Sequence, residues 1–555
     1  MKNFFPLFLF LLNLNLSAQL LDGQDAKHSR AEVLRGSLRP ERTCFDVNYY
    51  ELAIDLDIDN KKISGTNKMY FTSVENFTKI QIDLFDNMVL DKIIFKGKAL
   101  SFEREFNAVF VNFPYEIKKN SQQMIEMFYH GKPIVAKNAP WDGGFSWKKD
   151  KENNQWIAVS CEGIGASLWW PNKDHLSDEP DSMRVSCTIP KKLTFVGNGV
   201  LEKNIVNEDK RTMTWKMSYP INNYNVTLNI GKYVNFQDDF ISTIDGEKLI
   251  LDYWVMPYNL DKAKVHFQQV KPMLEAHEKY FGKFPFWNDN FKLVETPYLG
   301  MEHQTAIAYG NDYKKGYAGS DYSRIGLDFD YIIIHESGHE YWGNLVSADD
   351  MADLWIHEGF CTYSEALYVE HLFGYKKAIE YINAKKPSIG NKKPILGEYG
   401  YNNEGDGDMY NKGMLFLNTL RHIINNDELW FEILKEMTTE KFAYKTINTN
   451  DVIRFFNKKT NMDLTNIFMQ YLGHADIPVL YYSVKKIKGK NYTISYKWLT
   501  DVKDFKMPVI LKIANKEYKL DGTNDIKTFD FKKMKKQKVK FDEDKFYFKK
   551  MKVSF

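Results

Sequence analysis

The chain has 555 residues, 44% of them hydrophobic and 15% aromatic, enough apolar side chain for a sizeable core and a length for about three or four domains of roughly 100–200 residues each. Its 75 Lys plus Arg stand against 73 Asp plus Glu, a formal net charge of +2. That balance excludes the strongly basic footprint of a nucleic-acid binder.

At the N-terminus, Met1-Lys2 gives a short positive start, residues 4–16 are mostly apolar, and Leu16-Ser17-Ala18 offers small residues for cleavage before Gln19. This is the layout of a secretory signal peptide. Pro6, Asn13 and Asn15 interrupt a run already shorter than the roughly 20 residues that span a bilayer. Residues 1–18 are therefore expected to direct export and to be removed near Ala18, leaving a soluble or at most peripheral protein in the periplasm or outside the cell. No later stretch has the length and apolarity of a membrane span. Export permits disulfides among Cys44, Cys161, Cys187 and Cys361, with three full pairings open. The simpler expectation for so large a core is four free, buried thiols.

Residues 40–240 alternate apolar and polar side chains in short runs, as in residues 50–58 and 213–217, punctuated by Asp59-Asn60 and Gly197-Asn198-Gly199. This pattern predicts a β-rich N-terminal domain of sheets with one wet face. Helical periodicity takes over in residues 241–470, clearest at 261–281, 327–346, 358–373, 412–424 and 427–441, with Asn450 a cap for a helix over 451–458. Alternation returns in 478–555 and predicts a small C-terminal β domain. The lysines between Lys532 and Lys540 read as charges that keep a strand edge from aggregating.

The centre of the helical region reads Tyr331-Ile332-Ile333-Ile334-His335-Glu336-Ser337-Gly338-His339-Glu340-Tyr341-Trp342. Two histidines four apart on a helix project from one face, so both imidazoles can reach one ion. Trp342 and Val346 are expected to continue that face and keep the site dry. Zinc suits two imidazoles and a carboxylate, and a catalytic site leaves a fourth position open. Glu358, 19 residues after His339, is placed to be the third ligand on a returning helix. Glu365 lies two turns further on the same face, within reach of a ligand imidazole, and Cys361 reads as packing. A bare His-Glu-x-x-His arises by chance. Here an apolar lead-in, a glycine-bearing turn, the spaced carboxylate and matching periodicity coincide. Glu336, between the histidines, is placed to take a proton from a zinc-bound water attacking a carbonyl, and then to return it to a leaving amine.

These residues resemble the M1 family of zinc aminopeptidases, the gluzincins that include aminopeptidase N and leukotriene hydrolase. The resemblance covers residues 40–470 in order and motif position, and is strongest from His335 through Glu365. Tyr298-Leu299-Gly300-Met301-Glu302-His303 is similar to the family's Gly-x-Met-Glu-Asn segment, with Leu299 for the first glycine and His303 for the asparagine. The resemblance implies that Gly300 and Met301 pair with substrate backbone and that Glu302 binds its α-ammonium. Glu162, nine residues before Pro171, matches the family's second acidic or amide anchor. Tyr410, in Tyr410-Asn411-Lys412-Gly413, matches the tyrosine that stabilises the oxyanion.

The family fold implies a β saddle domain on a thermolysin-like, mainly α catalytic domain, and one zinc per chain. The substrates implied are peptides with a free N-terminus. Where most members continue into a large helical cap, this chain offers strands, which predicts a small β-sandwich and a cleft open to longer peptides. Two other functions are weighed beside the aminopeptidase: an epoxide hydrolase, as in leukotriene hydrolase, and a peptide-binding protein with a vestigial site.

Overall fold

The computed structural model describes residues 28–487, 491–513, 516–532 and 539–555. The expected signal peptide, residues 1–18, lies outside them, as do residues 533–538 of the lysine run.

The N-terminal region is built on a ten-stranded sheet. Its strand Phe45–Asp57 pairs antiparallel with Lys62–Ser73, from Phe45 opposite Ser73 to Asp57 opposite Lys62, and parallel with Ser182–Pro190. Within Phe45–Asp57, Tyr50, Leu52, Ile54 and Leu56 are buried while Ala53, Asp55 and Asp57 are exposed. The two-residue period therefore maps onto a core face and a wet face. A second sheet of four strands, including Gln155–Ser160 and Asn229–Gly231, adjoins the first. Its strand Gln155–Ser160 delivers the chain into the loop that carries Glu162.

A five-stranded sheet follows, ordered Val234–Ile241, Lys248–Val255, Phe291–Glu295, Ile307–Tyr309 and Gly300–Met301. The last, at the sheet's edge, pairs antiparallel with Ile307–Tyr309, Gly300 opposite Tyr309. Helix α1 (Tyr331–Gly338) packs against this sheet, α2 (Trp355–Phe373) packs against α1, and α3 (Tyr375–Ala384) and α4 (Asn411–Ile424) pack against α2. α1 and α2 are buried along nearly their whole length, as apolar-all-round helices at the centre of a large domain are.

After residue 478 the chain forms a four-stranded and a three-stranded sheet. Tyr482 meets Phe541 at 4.9 Å and Tyr518 meets Phe529 at 5.0 Å across the gap between them, so the two sheets face each other as a small sandwich. The sandwich docks on the helical region through Tyr471, whose hydroxyl donates to Tyr547 O at 2.6 Å, and through Asn418, which donates to Lys545 O at 3.1 Å.

Two local expectations are corrected. The helix read over residues 327–346 runs only from Tyr331 to Gly338. It starts where the Asp330 side chain accepts from Ile332 N and Ile333 N, a cap that the apolar lead-in masked. Beyond Gly338 the chain turns, with Gly343 at φ 124°, so Trp342 and Val346 are buried but not on the helix face. The later helix begins at Thr449, capped by Asn448 rather than Asn450. Asn448 and Asp451 form a reciprocal capping box, which a cap at Asn450 could not make with the residue three positions on. All four cysteines are free and buried. No helix of the described residues is long and apolar enough to cross a membrane.

Candidate metal centre

α1 ends one residue before His339, yet His339 keeps helical dihedrals of −65° and −20°, so the two histidines remain one turn apart. α2 returns alongside and presents Glu358 in its first turn and Glu365 two turns later. His335 Nε2 and His339 Nε2 lie 3.3 Å apart, and Glu358 Oε2 lies 3.5 Å from the first and 3.4 Å from the second. A tetrahedron with edges of that length has its centre about 2.0–2.1 Å from each corner, the distance zinc takes to imidazole nitrogen and carboxylate oxygen.

The proton inventory agrees. His339 Nδ1 lies 2.9 Å from Trp342 O, which can only accept, so the proton is on Nδ1 and the Nε2 lone pair faces the common point. His335 Nδ1 lies 2.8 Å from Glu365 Oε1, and Tyr381 donates to the other Glu365 oxygen. Glu358 Oε2 is buried and has no hydrogen-bond donor among the described residues. Three lone pairs converge where nothing donates to them, and the donor set fits a zinc ion. Cys361 Sγ donates to His335 O at 2.9 Å and lies 3.8 Å from Nδ1. It flanks the imidazole on its Glu365 side, as a packing residue does.

Glu336 is buried on the next face of α1. Burial pushes its carboxyl up to about 7, with Glu302 and Glu358 adding and His335 and His339 opposing. A carboxylate near neutrality is suited to exchanging protons. Its neighbour is the sheet edge: a Cβ on Gly300 would stand 2.5 Å from Glu336 Oε1 and 2.8 Å from Ile332 Cγ2. Glycine at 300 is thus what lets the edge strand run against the carboxylate. The Tyr410 ring stacks on His335 with centroids 5.9 Å apart. Burial, then the charges of Glu358, Glu162 and Glu302, hold its phenol well above the ordinary value, so it stays a proton donor.

Glu302 is 3% exposed, and a carboxylate oxygen lies within 4.8 Å of the ligand atoms of His339 and Glu358. Tyr224, from the N-terminal region, donates to its Oε1 at 3.1 Å, and Asn344 donates to its carbonyl at 2.9 Å. Glu162 is half-buried in a loop closed by Gly165 N donating to Cys161 O at 2.7 Å. Burial, then the charges of Glu302 and Glu358, raise its carboxyl well above the usual range. Two carboxylates that disfavour each other's ionisation form a pocket that a cation relieves.

The structure brings His335, His339, Glu358, Glu365, Glu336, Tyr410, Gly300 and Glu302 together, with Glu162 feeling the charge of Glu302 and Met301 next to Gly300 in the edge strand. Several supporting residues had no local signal. Tyr224 and Tyr381 arrive from distant segments. Lys292, fully buried, donates to Gly197 O, Gly199 O and Thr305 O and stitches the Glu302 segment to the N-terminal region. Asn344 was visible inside Gly343-Asn344-Leu345-Val346, though not its bond to Glu302. His303, standing where the resembling segment has asparagine, is fully buried with neither ring nitrogen bonded among the described residues. Burial lowers it to about 3, so it fills that space as a neutral ring.

Residues 265–471 match the Peptidase family M1 domain. The chain is 21% identical over 532 residues to a leucyl aminopeptidase of Saccharolobus solfataricus, covering 90% of this chain and 63% of that protein. It is 24% identical over 346 residues to human glutamyl aminopeptidase, 57% of this chain and 34% of that one. The chain thus spans less than two thirds of the length of these relatives. The crystal structure of an M1 zinc metallopeptidase from Deinococcus radiodurans superposes with a TM-score of 0.64 at 17% identity, covering 77% of this chain and 93% of that one, which establishes the shared fold. Residues 265–471 thus carry a peptidase family M1 domain, set in a chain that shares the fold of an M1 zinc metallopeptidase.

Proposed function

We propose that the chain is an exported zinc aminopeptidase that removes residues from the free N-termini of peptides. The observation that carries this reading is the position of Glu302, whose carboxylate lies within 4.8 Å of the ligand atoms of His339 and Glu358. An α-ammonium bound there places the first peptide bond, and no later one, at the metal. When bound at His335, His339 and Glu358, zinc supplies a water acidified from about 15.7 toward 7 and polarises the carbonyl.

The protein's own groups do the rest. Glu302 and Glu162 share the ammonium, whose burial without such partners costs several kcal/mol. The edge strand Gly300–Met301 pairs with the substrate backbone and fixes its direction. Glu336 takes the proton of the attacking water and hands it to the departing amine. The Tyr410 hydroxyl donates to the oxyanion, a contact typically worth about 3–4 kcal/mol in the transition state. The apolar run over residues 4–16 supports export. The complete ligand set together with Glu336 argues against a vestigial site.

The test compares one peptide with a free and with an acetylated N-terminus. Cleavage of the free form alone, abolished by chelator and by Glu336→Gln with zinc retained, is expected. Equal cleavage of both forms would make the protein an endopeptidase.

A further inference from the structure

The leaving-group side of the site ends at a buried ammonium with unused donors. A cavity of about 660 Å³ opens from His335, Glu336, Gly300 and Tyr410. Glu302 and Glu162 do not line it, so it lies past the scissile bond from the amine anchor. Trp141 of the N-terminal region and Tyr322 line it and are 62% and 63% exposed. Tyr331, Lys385 and the Asp321 paired with it also line the cavity.

Lys385 caps the C-terminal end of α3. Its side chain is 6% exposed, and Nζ meets Asp321 Oδ1 at 3.1 Å. Asp321 is itself 3% exposed, and its Oδ2 is taken by Ser323 N at 2.6 Å and Ser323 Oγ at 2.7 Å. Around the rest of the ammonium stand ring faces, Tyr381 at 4.7 Å, Tyr331 at 5.4 Å and Tyr322 at 5.5 Å. An ammonium carries three donors, and here one oxygen receives them among the described residues. Ring faces attract a cation, but they do not replace an acceptor oxygen for a group this buried. An aliphatic stem, an aspartate that fixes the head and an aromatic surround make a preorganised anion socket.

The spacing selects the anion. Lys385 Nζ lies 5.4 Å from the Tyr331 ring centre, and that centre lies 5.1 Å from the His335 ring centre. The ammonium therefore sits no more than about 10.5 Å from a metal ligand. With an extended chain advancing about 3.3 Å per residue, that span holds one or two residues beyond the scissile bond and an ion-pair contact. We propose that Lys385 binds the C-terminal carboxylate of di- and tripeptides, and that short free-acid peptides are the preferred substrates of this site. The proposal rests on the aminopeptidase reading and runs against the open-cleft expectation drawn from the missing helical cap.

The test measures kcat/KM for Ala-Ala-Ala as free acid and as C-terminal amide, with hexa-alanine in both forms and alanyl-nitroanilide alongside. The free tripeptide is expected to exceed its amide by about 10- to 100-fold, the range of a charge-assisted hydrogen bond, with the ratio near one for hexa-alanine. Lys385→Met should bring the tripeptide ratio to within about two-fold, read as a ratio so that any loss of folded protein cancels. The double variant Lys385→Met/Asp321→Asn repeats the measurement without leaving a lone buried carboxylate. A wild-type ratio near one, or a ratio that survives both variants, overturns the assignment of Lys385. Failure to cut any of these substrates, the nitroanilide included, overturns the aminopeptidase reading instead.

Discussion

Gly300 offers the sharpest separation of chemistry from stability. In Gly300→Ala the new Cβ stands 2.5 Å from Glu336 Oε1, where ordinary contact begins near 3.4 Å. The carboxylate must therefore retreat by about 0.9 Å. Glu336 is a flexible side chain at that end, so the retreat itself costs little. The second clash, with Ile332 Cγ2 at 2.8 Å, is a small overpacking of a buried helix, about 1–2 kcal/mol within the range for such insertions. The catalytic cost is larger, because a displacement of about 1 Å in a reacting group is worth roughly 10²-fold in rate. We expect kcat on an aminoacyl-nitroanilide to fall about 100-fold, with zinc content near one equivalent and KM within a few-fold. Gly407→Ala, where a Cβ meets nothing within 4 Å, serves as the control and should be silent. A Gly300→Ala enzyme that holds zinc and keeps wild-type kcat would refute the placement of Glu336 as proton carrier against this strand.

Glu365→Gln presents one amide nitrogen where two donors, His335 Nδ1–H and the Tyr381 hydroxyl, both need oxygen. Competition with a chromogenic chelator should show zinc bound about 10- to 100-fold more weakly, the usual cost of losing such a support; an unchanged affinity would count against the carboxylate's orienting role. Glu340 is buried, accepts from Thr305 N at 2.7 Å and is pushed by burial up to about 8. Between about pH 4.5 and 8 the folded state therefore holds a proton that the unfolded chain has lost, so stability declines as pH rises through that window. Glu340→Gln should flatten the decline by at most about 4–5 kcal/mol. Denaturant midpoints at pH 5.5 and 8.0, falling by the same amount in both proteins, would contradict it.

The residues that carry the chemistry were legible because their spacing is local. His335 and His339 are fixed by one helical turn, and Glu358 and Glu365 sit on one returning helix, so periodicity alone places them. The β-helical-β order was legible for the same reason, from periods of two and 3.6. The ends of elements were not: Asp330 and Asn448 cap through side-chain bonds to backbone, and neighbouring Asn450 carries the same cap signal. Glu302, Glu162 and Tyr410 are short-motif residues whose roles came from the resemblance. Tyr224, Lys292 and Lys385 could not be read at all, since each acts through tertiary contacts with segments tens of residues away. A lone lysine at a helix end, such as Lys385, is by sequence a solvated charge.

The Tyr224 hydroxyl on Glu302 has a consequence for how this site divides its labour along the chain. The candidate metal ligands come from α1, the residue that caps it and the adjoining α2, so the metal site is a local inheritance. On the aminopeptidase reading, counting from the N-terminus is not: it joins Glu302, from the same region as the ligands, to a phenol and a second carboxylate, Tyr224 and Glu162, lent by the β-rich region. An exchange of the first region for that of a relative would keep the ligands and Glu302 and replace only the groups that brace and assist that carboxylate, disturbing register while sparing the metal site.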